Sequence, residues 1–137
     1  MPPEPRSPAQ DRERGSAVID FVLVGVLVVA LLLAVLQVAV YVHLRNVVVA
    51  SAQEGARYAA NADVPAEAGA ARTLEVIGQA TSARTAAGLS CTSRQEVADG
   101  GLVLVVVRCS GAVPTLLGAL GDLLPLEVTG RAVEEGP

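Results

Sequence analysis

From Val22 to Leu36 no residue is polar, and after Gln37 the apolar run resumes to Val42. A helix needs about 20 such residues to cross the ~30 Å hydrocarbon core of a bilayer. The alternative is a core helix. A chain of 137 residues cannot wrap a helix that is apolar all round. The run is therefore read as a transmembrane helix, and every other assignment is arranged around it. The remaining length allows one small domain and not two.

Composition supports this division. Hydrophobic residues make up 52% of the chain and aromatic residues only 2%, which points to a membrane segment rather than a richer core. Residues 1–58 carry five Arg and five acids, whereas residues 59–137 carry five Arg and nine acids. The net charge of −4, with no Lys and no Arg cluster, argues against nucleic-acid binding. Residues 1–15 are Pro-rich and charged, without apolar periodicity, and are read as an unstructured cytoplasmic leader. Arg6, Arg12 and Arg14 before the span outnumber Arg45 and Arg57 after it, which favours a cytoplasmic N-terminus.

After the span the pattern stays helical. Residues 44–60 are rich in Ala and Val, with Glu54 and Arg57 at i,i+3 spacing, and one helix is expected from about Ser16 to Ala60. The segment 16–62 is thus a transmembrane helix with an extracytoplasmic extension, and 63–137 a small α+β domain. Asp63 is positioned to cap a second helix, with Pro65 in its first turn. Ala66, Ala70, Leu74 and Ile77 form its apolar stripe, and Gly88 ends it. Leu102–Val107 reads as a strand behind the turn Asp99-Gly100-Gly101, with 91–98 as its partner. Residues 126–133 form a third, half-exposed strand, with Leu126, Val128 and Ala132 on one face and Glu127, Thr129 and Arg131 on the other. Residues 115–124 are apolar with internal Gly; they form a short helix over the sheet or an exposed contact surface.

Cys91 and Cys109 are the only cysteines. A three-residue turn centred on Gly100 sets residues equidistant from it opposite each other, which pairs 91 with 109. That register allows a cross-strand disulfide, and hence an oxidising compartment. The alternative is two buried thiols. Zinc is excluded by ligand count, and thiol-disulfide catalysis by the absence of Cys-x-x-Cys. No catalytic constellation is present. His43 stands alone near the span, and Ser16, Ser51 and Ser110 have no nucleophile elbow around them. No metal or cofactor and no enzymatic activity are expected. Gln37 and Tyr41, with Ala30 and Ala34, mark a helix–helix face in the membrane or simple lipid exposure.

At residues 12–21 the charges stop at Gly15 and apolar residues begin, yet Asp20 sits among them. An acid inside a membrane helix usually has a partner; near a helix start it is also favoured electrostatically. Gly15 followed by Asp20-Phe21 resembles the processing site of type IV pilin-like precursors. There a Gly precedes the cut and an acid occupies the fifth mature position. Ala52–Ala60, containing Gly55-Ala56-Arg57-Tyr58, resembles the helical signature of the TadE family of Tad (Flp) pilus pseudopilins. In this chain the acid is Asp rather than the family's usual Glu, and Gly25-Val26 stands where a Pro usually appears.

The resemblance implies a minor pilin or pseudopilin, cut between Gly15 and Ser16. Asp20 would pair with the new amine of a neighbouring subunit. It also implies partners: a prepilin peptidase, a major Flp-type pilin, a second pseudopilin, and the pilus membrane platform with its ATPase. Two rivals remain. One is an uncleaved signal-anchored envelope protein whose outer domain binds a partner. The other is a secreted protein cut after Ala50-Ser51-Ala52, although the apolar run exceeds a typical signal h-region.

Overall fold

The computed structural model describes residues 1–3, 8–114 and 123–136. The elements are α1 (Pro8–Ala59), α2 (Ala68–Ala80), α3 (Ala83–Ala87), β1 (Leu89–Val97), β2 (Val103–Pro114) and β3 (Leu123–Val133). This is the expected α+β class: a long N-terminal helix, shorter helices and an antiparallel sheet in the order β1-β2-β3. The chain falls into two compact units, residues 1–37 and 38–137.

The first unit holds the N-terminal part of α1. The helix begins at Pro8, not near Ser16, so the second half of the leader is helical. Proline suits the first helical position, because its missing N–H is one the helix cannot satisfy anyway. The Ala-Gln-Asp-Arg-Glu-Arg run that follows has no helix breaker before Gly15. Within the span Phe21, Leu27 and Leu31 are 78%, 68% and 65% exposed. An 18-residue window of this helix reaches a mean hydropathy of 3.1 with none of it buried in the protein. An exposed helix that is apolar all round fits a single-pass membrane anchor.

In the second unit the rest of α1 lies on the sheet. Val48, Ser51, Ala52, Gly55, Ala56 and Ala59 are buried, a spacing of three and four that defines one helix face. Of these, Val48, Ala52 and Ala56 meet Ile77, Val107, Cys109, Val113, Leu126 and Val128 in the main core, and Ala59 joins Ala60, Ala66 and Val105 in a second cluster. Fully burying one such valine contributes roughly 1.5–3 kcal/mol. The Ser51 hydroxyl donates to the Val47 carbonyl at 2.8 Å, which settles its buried oxygen.

The sheet follows the register read from the turn. Cys91 faces Cys109 and Val97 faces Val103. Ala98 N donates to the Leu102 carbonyl at 2.8 Å, and Gly100 and Gly101 close the turn at φ +93° and +82°, where residues with a Cβ are strained. β2 runs past Val107 to Pro114, with Arg108 and Ser110 outward while Cys109 and Val113 stay inward. In β3, Leu126 and Val128 are buried while Glu127, Thr129 and Arg131 are exposed. Cys91 and Cys109 form a disulfide, with Cα atoms 4.1 Å apart. That spacing belongs to the closer, non-hydrogen-bonded pairs of an antiparallel ladder, at about 4.5 Å.

The second helix departs from expectation at both ends. It starts at Ala68, and Asp63 is exposed in a turn rather than capping it. Glu67 holds the cap position without a side-chain bond. The cap comes instead from β1: Ser93 Oγ accepts from Ala70 N at 2.9 Å and donates to the Ala66 carbonyl at 2.7 Å. The buried face is Gly69, Thr73 and Ile77, with Ala70 and Leu74 only half-buried. The helix also stops early. Thr81 Oγ1 donates to the Ile77 carbonyl at 2.7 Å, and extended Ser82 caps the separate α3 by accepting from Thr85 N at 3.1 Å. Gly88, expected to end the second helix, closes α3 instead. Of the apolar stretch 115–124, residues 115–122 lie outside the described residues, and Leu123 and Leu124 begin β3.

Candidate functional site

Two segments carry the sequence motifs, one in each unit. In the first, Gly15 to Asp20 lie on α1 and are all exposed. A Cβ built on Gly15 would meet nothing within 4 Å. Packing therefore does not require glycine here, although a helical glycine costs ~1 kcal/mol relative to alanine. Ser16 and Asp20 are one i,i+4 step apart, on one side of the helix and separated by about 6 Å along its axis. Chemically the segment offers one carboxylate in an apolar surround. Among the described residues no group of His, Cys, Asp and Glu could hold a metal ion.

In the second unit, the signature Gly55-Ala56-Arg57-Tyr58 splits into an inner and an outer half. Gly55 and Ala56 are buried; Arg57 and Tyr58 are exposed. A Cβ on Gly55 would overlap the Thr73 side chain and lie 2.5 Å from the Gly69 carbonyl. One on Gly69 would lie 3.0 Å from the Gly55 carbonyl and 3.1 Å from the Ala59 Cβ. The α1 and α2 backbones thus cross at a glycine on each side. Thr73 Oγ1 donates to the Gly69 carbonyl at 2.8 Å, so the crossing carries no unsatisfied hydroxyl. Under the same stretch of α1, a Cβ on Gly130 would overlap the Ala52 backbone. The motif resemblance singled out Gly55 but not Gly69, Thr73 or Gly130. The only sequence trace of them is a glycine inside a helix pattern and another inside a strand pattern, each a signal of close backbone approach.

The outer half borders a cleft of about 360 Å³ lined by Glu54, Arg57, Tyr58, Asn61, Val133 and Glu135, among others. The Arg72 guanidinium lies 5.8 Å from the centre of the Tyr58 ring and pairs with Glu75 at 3.1 Å. Among the described residues no ion pair joins Glu54 to Arg57, although their spacing allows one. On the outer sheet face Glu96 bridges Arg94 at 2.8 Å and Arg108 at 3.1 Å. The Arg94 hydrogen bond, aided by the charges of Arg108, Arg94 and Arg131, holds the Glu96 carboxyl below its ordinary value. Its stabilising contribution is therefore present above the unfolded-state value and lost as pH falls through the lowered native one. The group is solvated, so the pair contributes little.

The disulfide joins β1 to β2, and Cys109 shares the main core with Ala52 and Ala56 of α1. His43 is exposed on α1, and Tyr41, half-buried, donates its hydroxyl to the Pro125 carbonyl at 3.2 Å.

Residues 15–57 match the family model of TadE-like proteins. The match opens on Gly15 and closes on Arg57, so one alignment spans the junction, the apolar span and three of the four signature residues. No curated protein and no solved structure matches the chain.

Proposed function

We propose, on the premise that residues 15–57 are a TadE-like segment, that the chain is a Tad pilus-associated protein: a minor pilin or pseudopilin, processed after Gly15, that supports assembly of a pilus for surface attachment. The observation that carries the reading is that the family match begins at Gly15, ahead of an exposed apolar helix, and ends in the signature that locks α1 to α2. The role is structural and not enzymatic. The apolar helix first stores the subunit in the cytoplasmic membrane as a single-pass anchor, N-terminus inside, and later packs among other subunits. Its partners are a prepilin peptidase, the major Flp-type pilin, a second pseudopilin, and the membrane platform with its ATPase.

The physical logic rests on Ser16 and Asp20. Cleavage removes the charged leader and leaves an α-amine on Ser16, whose reference pKa is about 8. A carboxylate alone in hydrocarbon is costly; an ion pair with an amine of a neighbouring subunit offsets both charges. Such a pair also fixes the axial register between helices. Asp20→Ala is expected to reach the membrane normally but to disappear from sheared pili. Fractionation followed by immunoblotting checks this, and normal incorporation of the mutant would sink the role of Asp20.

The test of the whole reading is the intact mass of unreduced protein from native membranes, with its N-terminus sequenced. A chain starting at Ser16 is the expected result. Retention of residues 1–15 would instead favour a signal-anchored envelope protein, and a start at Gln53 a secreted domain.

A further inference from the structure

In the second unit, a shallow groove of about 410 Å³ lies between α1 and α3, lined by Ala39, Val40, His43, Leu44, Thr85 and Val113. That volume lies within the ~300–1,000 Å³ of small-molecule sites. Its wall is almost wholly apolar, and the Thr85 hydroxyl is engaged with Ser82 Oγ at 2.9 Å. The α1 residues in it belong to the last turns of the apolar run, and Val40 and Val42 are 41% and 48% exposed. The groove thus opens at the end of the apolar run.

Among the described residues, charge in this unit is distributed unevenly around the groove. Residues 38–53, 82–90 and 110–113 contain Arg45, Arg84 and His43 and no acid. Arg45 follows the lining residue Leu44, Arg84 precedes Thr85, and both are exposed. The first acid met along β3 from this end is Glu127, which faces Ser110. Exposed Glu54 and Glu135 line a cleft nearer the other end of α1, together with Arg57, and Glu135 N donates there to the Ala60 carbonyl at 2.9 Å; exposed Asp99 lies in the β1–β2 turn. Ala39 and Ala60 are about 32 Å apart along a straight helix.

We propose that this groove holds an acyl chain of an anionic phospholipid from the bilayer that α1 enters, with Arg45 and Arg84 binding its phosphate. Apolar walls suit the chain, and guanidinium groups suit phosphate geometry. This seat holds the folded unit against the membrane before any assembly. It rests on the membrane reading of α1 and not on the pilus reading, so it can fail while processing at Gly15 stands.

The test places the photo-cross-linker benzoylphenylalanine at Thr85 in the full chain, reconstituted in phosphatidylglycerol or phosphatidylcholine vesicles, and reads adducts by mass. Val35 within the span serves as the insertion control, and Asp99 as the distal control. The expected result is a one-lipid adduct at position 85 in phosphatidylglycerol, none at 99, and about fivefold less adduct in Arg84→Ala. No adduct at 85 while Val35 labels would overturn the proposal. A protein-sized adduct at 85 would overturn it too, because the groove would then belong to a second copy. Equal labelling in phosphatidylcholine, insensitive to Arg84→Ala, would overturn the phosphate contact.

Discussion

Gly130→Val is expected to destabilise the folded unit of residues 38–137 by about 4 kcal/mol, at the upper end of what single substitutions do. The obstacle is the backbone of α1: a Cβ at 130 would overlap the Ala52 backbone and stand 2.7 Å from Gln53 N. A side chain can rotate away, but a hydrogen-bonded helix backbone cannot, so β3 and α1 must separate. Separation exposes Ala52, Val128 and their neighbours in the core. Gly55→Val acts in the same way at the crossing with α2, where the Thr73 side chain and the Gly69 backbone carbonyl both occupy the space. Gly25→Ala, where an added Cβ meets nothing within 4 Å, is the neutral control. Urea unfolding of the full chain in detergent, followed by circular dichroism, measures all three. A Gly130→Val midpoint equal to the wild type would contradict the close approach.

Removing the disulfide is the second large effect. Cys91→Ala with Cys109→Ala opens a loop of sequence separation 18. Constraint of the unfolded chain by a loop of that size contributes about 3 kcal/mol. At ~4–8 °C per kcal/mol for a domain of this size, the melting temperature falls by roughly 12–24 °C. Reduction of the wild type should give the same shift, and reduction of the double mutant none. A wild-type melting temperature unchanged by reductant would show that the bridge contributes nothing. The fold should survive in the mutant, because Cys109 is buried among Val107, Val113 and Val128 and alanine keeps that site apolar.

Some of the molecule is written locally. The apolar run determines its own helix, since its backbone bonds close within the segment and its side chains need hydrocarbon. The hairpin register follows from Asp99-Gly100-Gly101, because only glycine takes the two positive-φ positions readily. Once that turn is set, arithmetic brings Cys91 to Cys109. The two faces of β3 follow from period-2 alternation. These features depend on residues adjacent in sequence, or on one turn between two strands.

Other features are decided by residues far apart. The start of α2 was expected from Asp63 and Pro65, but Ser93, on a strand more than twenty residues later, supplies the bonds that set it. Its end was expected at Gly88, but Thr81 and Ser82 interrupt it and α3 forms as a separate turn. The apolar stripe was read as Ala66, Ala70, Leu74 and Ile77. The face turned inward is Gly69, Thr73 and Ile77, because α2 packs through its smallest residues where it meets Gly55.

The candidate site divides along the same line. Gly15, Asp20 and the span are legible because their meaning lies in the order of charge, glycine and apolar residues along the chain. Gly55-Ala56-Arg57-Tyr58 is recognisable as a string, but its division into a buried pair and an exposed pair is not. The sequence alone determined the long apolar helix, the hairpin and the facing of Cys91 and Cys109, since each follows from local backbone chemistry or from a fixed period. Only the tertiary structure decided where α2 begins and ends and why Gly55, Gly69 and Gly130 carry no side chains. Close approach of two backbones is a property of elements packed in space, and no local window of residues contains both of them.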